Sequence, residues 1–336
     1  EILNEQNQFE EKTFELVCRY SKSVDILSLF WSKVQKFIIG QDLIDYLLKN
    51  YLNPLFYTII KKNEIFFSFL VQNIFNTEIL IQEKHLTYGE NFLHFLAQFG
   101  TKSMIESAFK QIQLIFPTPE RIQIFIKTPT NFESNILHCA ADINKNSEAV
   151  KCLLNQVELH CGREELKIML SDKRSKGFKY FPLQGTITSN KPMIFVAFFS
   201  VYREIFSNDE IHELLQAKNS DGKNIYELAR DHEDRKFFTI VLHEVKDYLT
   251  KYFYNKLASL LKTRKSSQLV EALLSEMDGK INFQEILAFK DKDDQNIFHL
   301  AALYCDSEEI LEILWIKIKN SLSDQSLKEF LLVKGF

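Results

Sequence analysis

The sequence predicts an all-α fold: a solenoid of stacked helix–turn–helix repeats, most of them carrying an extra short helix. Three observations predict it. A seven-residue motif recurs along the chain. A second apolar helical segment follows each copy. Thirty Phe stand against nine Gly and six Pro, whereas sheet-rich folds with many tight turns need more of both breakers. The 336 residues are 46% hydrophobic and 26% charged, which suits a chain that buries a core and excludes wholesale disorder.

The motif is clearest as NIFHLAA from Asn296, NILHCAA from Asn135 and NFLHFLA from Asn91. FPLQGTI from Phe181 and NIYELAR from Asn224 follow the same pattern. NPLFYTI from Asn53, NKLASLL from Asn255 and KTFELVC from Lys12 are weaker copies. The openings at 12, 53, 91, 135, 181, 224, 255 and 296 lie 41, 38, 44, 46, 43, 31 and 41 residues apart. Such a period marks a repeat array, so residues 1–336 read as one array of about eight units. It begins at Glu1 and stops at LLVKGF in mid-pattern, and reads as truncated at both ends.

Each copy leads, after a polar turn, into a second helix: KSMIESAFKQIQLIF from Lys102, NSEAVKCLLNQVELH from Asn146, DSEEILEILWIKIKN from Asp306. In the last, Ile310, Leu311, Leu314 and Ile318 fall at helical spacing, and Asp306 or Ser307 can cap the N-terminus. A third short helix is expected from Gln41, Arg163, Asp209, Phe283 and Ser326. Polar connectors such as NSDGKN at Asn219 and KDDQN at Lys292 precede the next copy. MIFVAFFSVY, from Met193 to Tyr202, reads as a buried helix, since no apolar run approaches the ~20 residues of a membrane span.

This unit resembles the ankyrin repeat. The family's opening tetrapeptide maps onto Asn296–His299, Asn135–His138, Asn91–His94, Phe181–Gln184 and Asn224–Glu227. The small pair behind it maps onto Ala301–Ala302, Ala140–Ala141 and, in part, Ala97. The units here average about 41 residues against ~33 for the standard repeat, and the extra length supplies the third helix. The resemblance implies that the His side chain bonds nearby backbone and holds the turn into the first helix. It implies that the small pair lets neighbouring helices approach, and that Phe fills the gaps between units of irregular length.

Chemistry is sparse. His94, His138 and His299 share one repeat position, held elsewhere by Gln184, Glu227 and Phe56, so they read as structural. His138, Cys139, Cys152, His160 and Cys161 are the only local Cys/His concentration, but Cys139 and Cys152 fall at core positions, against the convergent tetrahedral set that zinc requires. No phosphate loop, nucleophile elbow or HExxH motif is present. No catalytic, cofactor-binding or metal-binding residue is therefore assigned, no cofactor is implied and the chain is not read as an enzyme. The formal charge of −4 offers no global field for nucleic acid. Five scattered cysteines, Cys18, Cys139, Cys152, Cys161 and Cys305, suit a reducing, cytoplasmic setting.

The resemblance implies a protein-binding groove built from the hairpin tips and the exposed side of the first helices. Those positions are Tyr88, Gly89 and Glu90; Phe132, Glu133 and Ser134; Lys176, Phe178 and Lys179; Asp221 and Lys223; and Asp293, Asp294 and Gln295. The tetrapeptide's second position is Phe92, Ile136, Ile225 and Ile297. These four either line the groove as an apolar stripe for a peptide or helix, or are buried by the altered hairpins. The basic stretch SDKRSKGFKYF at Ser171–Phe181 is a candidate for an acidic partner or a solvated hairpin. KTRKSS at Lys262–Ser267 reads as a solvated turn, with a phosphate contact as the competing reading. The expected function is a monomeric scaffold that binds another protein or peptide. The alternative is a substrate-recruiting array of a larger effector enzyme, at work in a host cytoplasm.

Overall fold

The structure, a computed structural model, describes residues 13–20, 23–37, 54–74, 84, 88–116, 118–173, 180–263, 267–291, 293–305 and 307–332. Among these residues there are helices and connecting turns but no strand. The chain separates into two compact units, Glu1–Phe206 with Ala217–Phe237, and Ser207–Gln216 with Phe238–Phe336.

In the first unit the helices are α1 (Thr13–Tyr20), α2 (Val24–Phe37), α3 (Pro54–Lys61), α4 (Glu64–Ile74), α5 (Phe92–Phe99), α6 (Lys102–Ile115) and α7 (Pro119–Lys127). They continue with α8 (Ile136–Ile143), α9 (Ser147–Cys161), α10 (Arg163–Ser171), α11 (Pro182–Thr188) and α12 (Pro192–Ile205). After α13 (Asn208–Gln216), which belongs to the second unit, comes α14 (Ile225–Arg230). First helices pack in a row, α3 on α5, α5 on α8, α8 on α11 and α11 on α14. Second helices form a parallel row, α2 on α4, α4 on α6, α6 on α9 and α9 on α12. The short α7 and α10 both pack on α9. This is the stack of helix–turn–helix units, with a third short helix, that the repeat predicts.

The rows are joined by close approach and by aromatic filling. Ala97, Ala140 and Ala141 are fully buried, and their small side chains leave room for α5 and α8 to pack closely. Phe56 of α3 stacks on Phe95 of α5 at 4.2 Å, Phe67 of α4 on Phe92 of α5 at 6.0 Å, and Phe109 of α6 on His160 of α9 at 5.5 Å. Such offset pairs add to area burial. Polar links run the same way: Asn144 Nδ2, at the end of α8, donates to the Ala97 carbonyl at the end of α5 at 2.8 Å, and Lys191 Nζ reaches back to the Ile143 carbonyl at 2.7 Å. Met193–Tyr202 lies in α12, where Ile194, Phe195, Phe198, Phe199 and Tyr202 are buried.

The second unit holds α13, α16 (Ser267–Met277), α17 (Phe283–Ala288), α18 (Ile297–Tyr304), α19 (Glu308–Ser321) and α20 (Asp324–Leu332). There α19 packs on α16, α17, α18 and α20. Between α14 and α16 runs α15 (Arg235–Lys262), and it corrects one expectation. Asn255 opens no repeat, because it lies inside this 28-residue helix. No Gly or Pro interrupts residues 235–262, and Val241, Val245, Leu249, Phe253, Leu257 and Leu261 bury one continuous stripe. A helix with an unbroken apolar face has no reason to stop. By contrast α5, α8, α11, α14 and α18 each start one residue after an expected opening, at 91, 135, 181, 224 and 296. Positions 12 and 53, and the helix expected from Gln41, lie outside the described residues.

Candidate functional site

The tips between repeats share one geometry, set by local hydrogen bonding. In Thr130–Ser134, Asn219–Lys223 and Asp291–Gln295 the first residue's N–H donates to the fifth residue's carbonyl, at 3.0, 2.9 and 2.9 Å. The fourth residue's N–H returns to the first carbonyl. That fourth residue is left-handed: Glu133 at φ 59°, Gly222 at 74° and Asp294 at 58°. The first side chain closes the turn by accepting from the third and fifth N–H groups. Asn219 Oδ1 takes Asp221 and Lys223 at 3.0 Å each; Asp291 Oδ1 takes Asp293 at 2.9 Å and Gln295 at 3.0 Å. Thr130 Oγ1 takes Phe132 and Ser134 at 3.3 and 3.2 Å. Short Asn, Asp and Thr side chains suit this role because they can bond their own backbone two residues on.

The next residue caps the helix. Asn91, Asn135 and Asn296 each accept from two backbone N–H groups of the first turn, and Asn224 accepts from Glu227 N–H. The fourth motif position returns the favour to the cap's own N–H. His94 Nδ1 accepts from Asn91 at 3.1 Å, His299 Nδ1 from Asn296 at 3.2 Å, Gln184 Oε1 from Phe181 at 3.1 Å and Glu227 Oε2 from Asn224 at 3.2 Å. This is a capping box. It explains why His, Gln and Glu interchange at that slot: each offers an acceptor. The donor end reaches onward, from His138 Nε2 to the Tyr180 carbonyl at 3.2 Å and from Gln184 Nε2 to the Ala217 carbonyl at 2.8 Å. The histidines are thus joints of the scaffold.

Burial lowers His94 to a pKa of about 4, with Lys84 adding to the shift. The Ser134 backbone opposes it, although Nε2 makes no hydrogen bond of normal geometry. Burial pushes the Cys152 and Cys161 thiols up to about 11, with Glu106 and Glu165 adding to it, so both are poor nucleophiles. Among the described residues no three His, Cys, Asp or Glu side chains are grouped as a metal would need.

The tip residues divide. Tyr88 and Phe132, on consecutive tips, are about half exposed, their ring centres are 6.0 Å apart, and Asn131 N–H donates to the Tyr88 carbonyl at 2.9 Å. Gly89 has φ +67°, and a Cβ there would lie 2.3 Å from Asn131 Oδ1, so only glycine fits. Glu90 accepts from Gln98 Nε2. Asp221 and Asp293 are exposed, Lys223 pairs with Asp231 at 3.0 Å, and Asp294 pairs with Lys290 at 2.9 Å. The Gln295 carbonyl accepts from Tyr254 at 2.8 Å. Lys176, Phe178 and Lys179 lie outside the described residues, as does the middle of KTRKSS.

The apolar stripe is not at the surface. Phe92, Ile136 and Ile297 are 0% exposed and Ile225 is 1%. Each is the first residue of its helix, and Phe92 packs inward on Phe67 of α4. These four residues are core, so they form no apolar stripe at the surface.

Sequence reasoning missed α7 as the third helix of its repeat, although Pro119 at its first turn and the spacing of Ile122, Phe125 and Ile126 signal it. Beside it lies a cleft of about 390 Å³, lined by Lys84, Asn91, Phe116, Arg121, Ile124, Phe125 and Thr128. A second cleft, of about 400 Å³ between α13 and α15, holds polar groups that bond one another: Lys251 with Asp209 at 2.9 Å, Thr250 with Glu285 at 2.8 Å, and Gln216 with His212.

Among solved structures the chain is similar to the crystal structure of the ankyrin repeat domain of Bcl-3, described as a unique member of the IkappaB protein family. Identity is 11%, the alignment covers 93% of this chain and 100% of that one, and the TM-score is 0.42. No family model and no curated protein matches the chain. At that level of overlap, any functional reading rests on the chain's own residues. No helix among the described residues is long and apolar enough to cross a membrane.

Proposed function

We propose that this chain is a protein-interaction scaffold of stacked ankyrin-like repeats that binds its partner through the hairpin tips. The observation that supports this most is the Tyr88–Phe132 pair. Two large aromatic rings stand about half exposed on consecutive tips whose backbones are fixed by hydrogen bonds. Aromatic side chains held on rigid loops make binding anchors because little conformational freedom is left to lose. Asp221 on a further tip of the same unit supplies a polar rim. The helices behind the tips are occupied with packing and capping, so the reading includes no catalysis by the described residues.

A photo-crosslinking amino acid at Phe132, and separately at Leu159 on α9, tests the proposal in cells. Leu159 is 70% exposed and lies on a second helix. A protein adduct from position 132 that is absent from position 159, and that Tyr88→Ala diminishes at least fivefold, is the expected result. Equal adducts from both positions, or adducts from 159 alone, would overturn it.

A further inference from the structure

We infer that the cleft beside α7 is a carboxylate-binding site. The neighbouring repeat shows what such a site holds. There Asn135, the cap of α8, donates through Nδ2 to the Met169 carbonyl at 3.0 Å and to Asp172 Oδ2 at 3.3 Å. Asp172 is the residue that ends α10, and α7 and α10 occupy the same place in successive repeats. Aligned residue for residue, Asp172 corresponds to Thr128 and Glu165 to Arg121. The repeat containing α7 has therefore lost both of those acids, and one of them is replaced by a cation.

The donor remains. Asn91 is 1% exposed, and its Oδ1 is committed to the Leu93 and His94 N–H groups at 3.0 and 3.2 Å. Those two backbone donors fix which end of the amide is oxygen. Its Nδ2 makes no hydrogen bond. The Thr128 hydroxyl does not replace the missing carboxylate, because it donates to the Ile124 carbonyl at 2.8 Å. Around Asn91 the cleft gathers Lys84 and Arg121, the latter 5.5 Å over the Phe116 ring, and no acid is among the described lining residues. An orphaned buried amide donor, two cations and an apolar wall of Phe116, Ile124 and Phe125 form a receptor for a carboxylate on a short apolar stem. The ligand takes the position that Asp172 fills from within the chain one repeat later.

The carboxylate can belong to a free small acid or to a Glu or Asp side chain of a bound polypeptide. The test is a titration followed by amide NMR of the whole chain, with the Asn91 side-chain resonances assigned through Asn91→Ser, which keeps the helix cap. The probes are acetate, acetyl-Ala-Glu-Ala-amide, its Gln counterpart and inorganic phosphate. Acetate or the Glu peptide is expected to move the Asn91 resonances in a saturable way, while the Gln peptide does not. Thr128→Asp, which restores the internal acid, should weaken this at least tenfold, and so should Arg121→Glu. A tenfold preference for the Glu peptide over acetate assigns the source to a polypeptide; equal affinity assigns it to a free acid. Unmoved resonances in the folded chain overturn the site. So does phosphate binding as tight as acetate, or undiminished binding in Thr128→Asp. Arg121→Glu, on an exposed position of α7, keeps the test decisive if Thr128→Asp does not fold.

Discussion

His94 shows how one side chain serves the repeat and what that role costs. Its Nδ1 must stay unprotonated to accept from Asn91, and it is fully buried. Its pKa in the fold is about 4, below the usual 6.5, so the unfolded chain binds the proton more tightly. Stability from this group is therefore full above pH 6.5 and falls as pH drops from 6.5 through 4. The loss amounts to about 3 kcal/mol by proton linkage. His94→Gln should remove this component, since Gln184 fills the same slot without titrating. Urea denaturation at pH 7 and pH 4 measures it: the wild type should lose about 3 kcal/mol more than the variant, and identical losses would show that His94 does not titrate as its burial requires. Gly89 makes the opposite case, fixed by space instead of charge. Gly89→Ala combines a left-handed φ with a contact on Asn131, and should lower stability by about 1–3 kcal/mol in the same assay.

Tips and caps form a single element, and they were the most legible part of the sequence. Asn at the opening, an acceptor three residues on, and a polar pentapeptide ahead of both are local hydrogen-bond chemistry, readable without knowledge of what packs against them. The fourth tip residue was less legible. Glu133, Gly222 and Asp294 share a left-handed backbone, yet only Gly222 advertises it. Glu133→Gly should then raise stability by about 0.5–1 kcal/mol, and Gly222→Ala should lower it by about 1 kcal/mol. Paired thermal melts read both, and equal signs for the two substitutions would break the shared-turn argument. The exposure of the candidate binding positions was only half legible. Tyr88 and Phe132 do stand exposed at tips, but Phe92, Ile136 and Ile297 are core, because the aim of a helix's first residue depends on packing that a local motif does not state. Asn255 misled for a similar reason: a motif fragment carries no signal when the segment before it has nothing to end its helix. The α7 cleft was illegible because it consists of what one repeat lacks relative to the next.

At the scale of the molecule, the consequential property of the first unit is that helices meet their neighbours in the row. Successive second helices pack on one another, α4 on α6, α6 on α9, α9 on α12. In such an array stability is a sum of unit and nearest-neighbour terms, so damage should spread only as far as shared contacts reach. Phe109 is the place to test this. It is 1% exposed on α6 and stacks on His160 of α9, so Phe109→Ala leaves a cavity costing about 3–5 kcal/mol. Hydrogen exchange read by mass spectrometry should show protection falling most in α6, strongly in α4 and α9, and least in α11 and α12. A compact fold with one shared core would instead lose protection in all of these together, because its helices open only as a body. A uniform drop would therefore refute the nearest-neighbour account, even with every helix placed as described here.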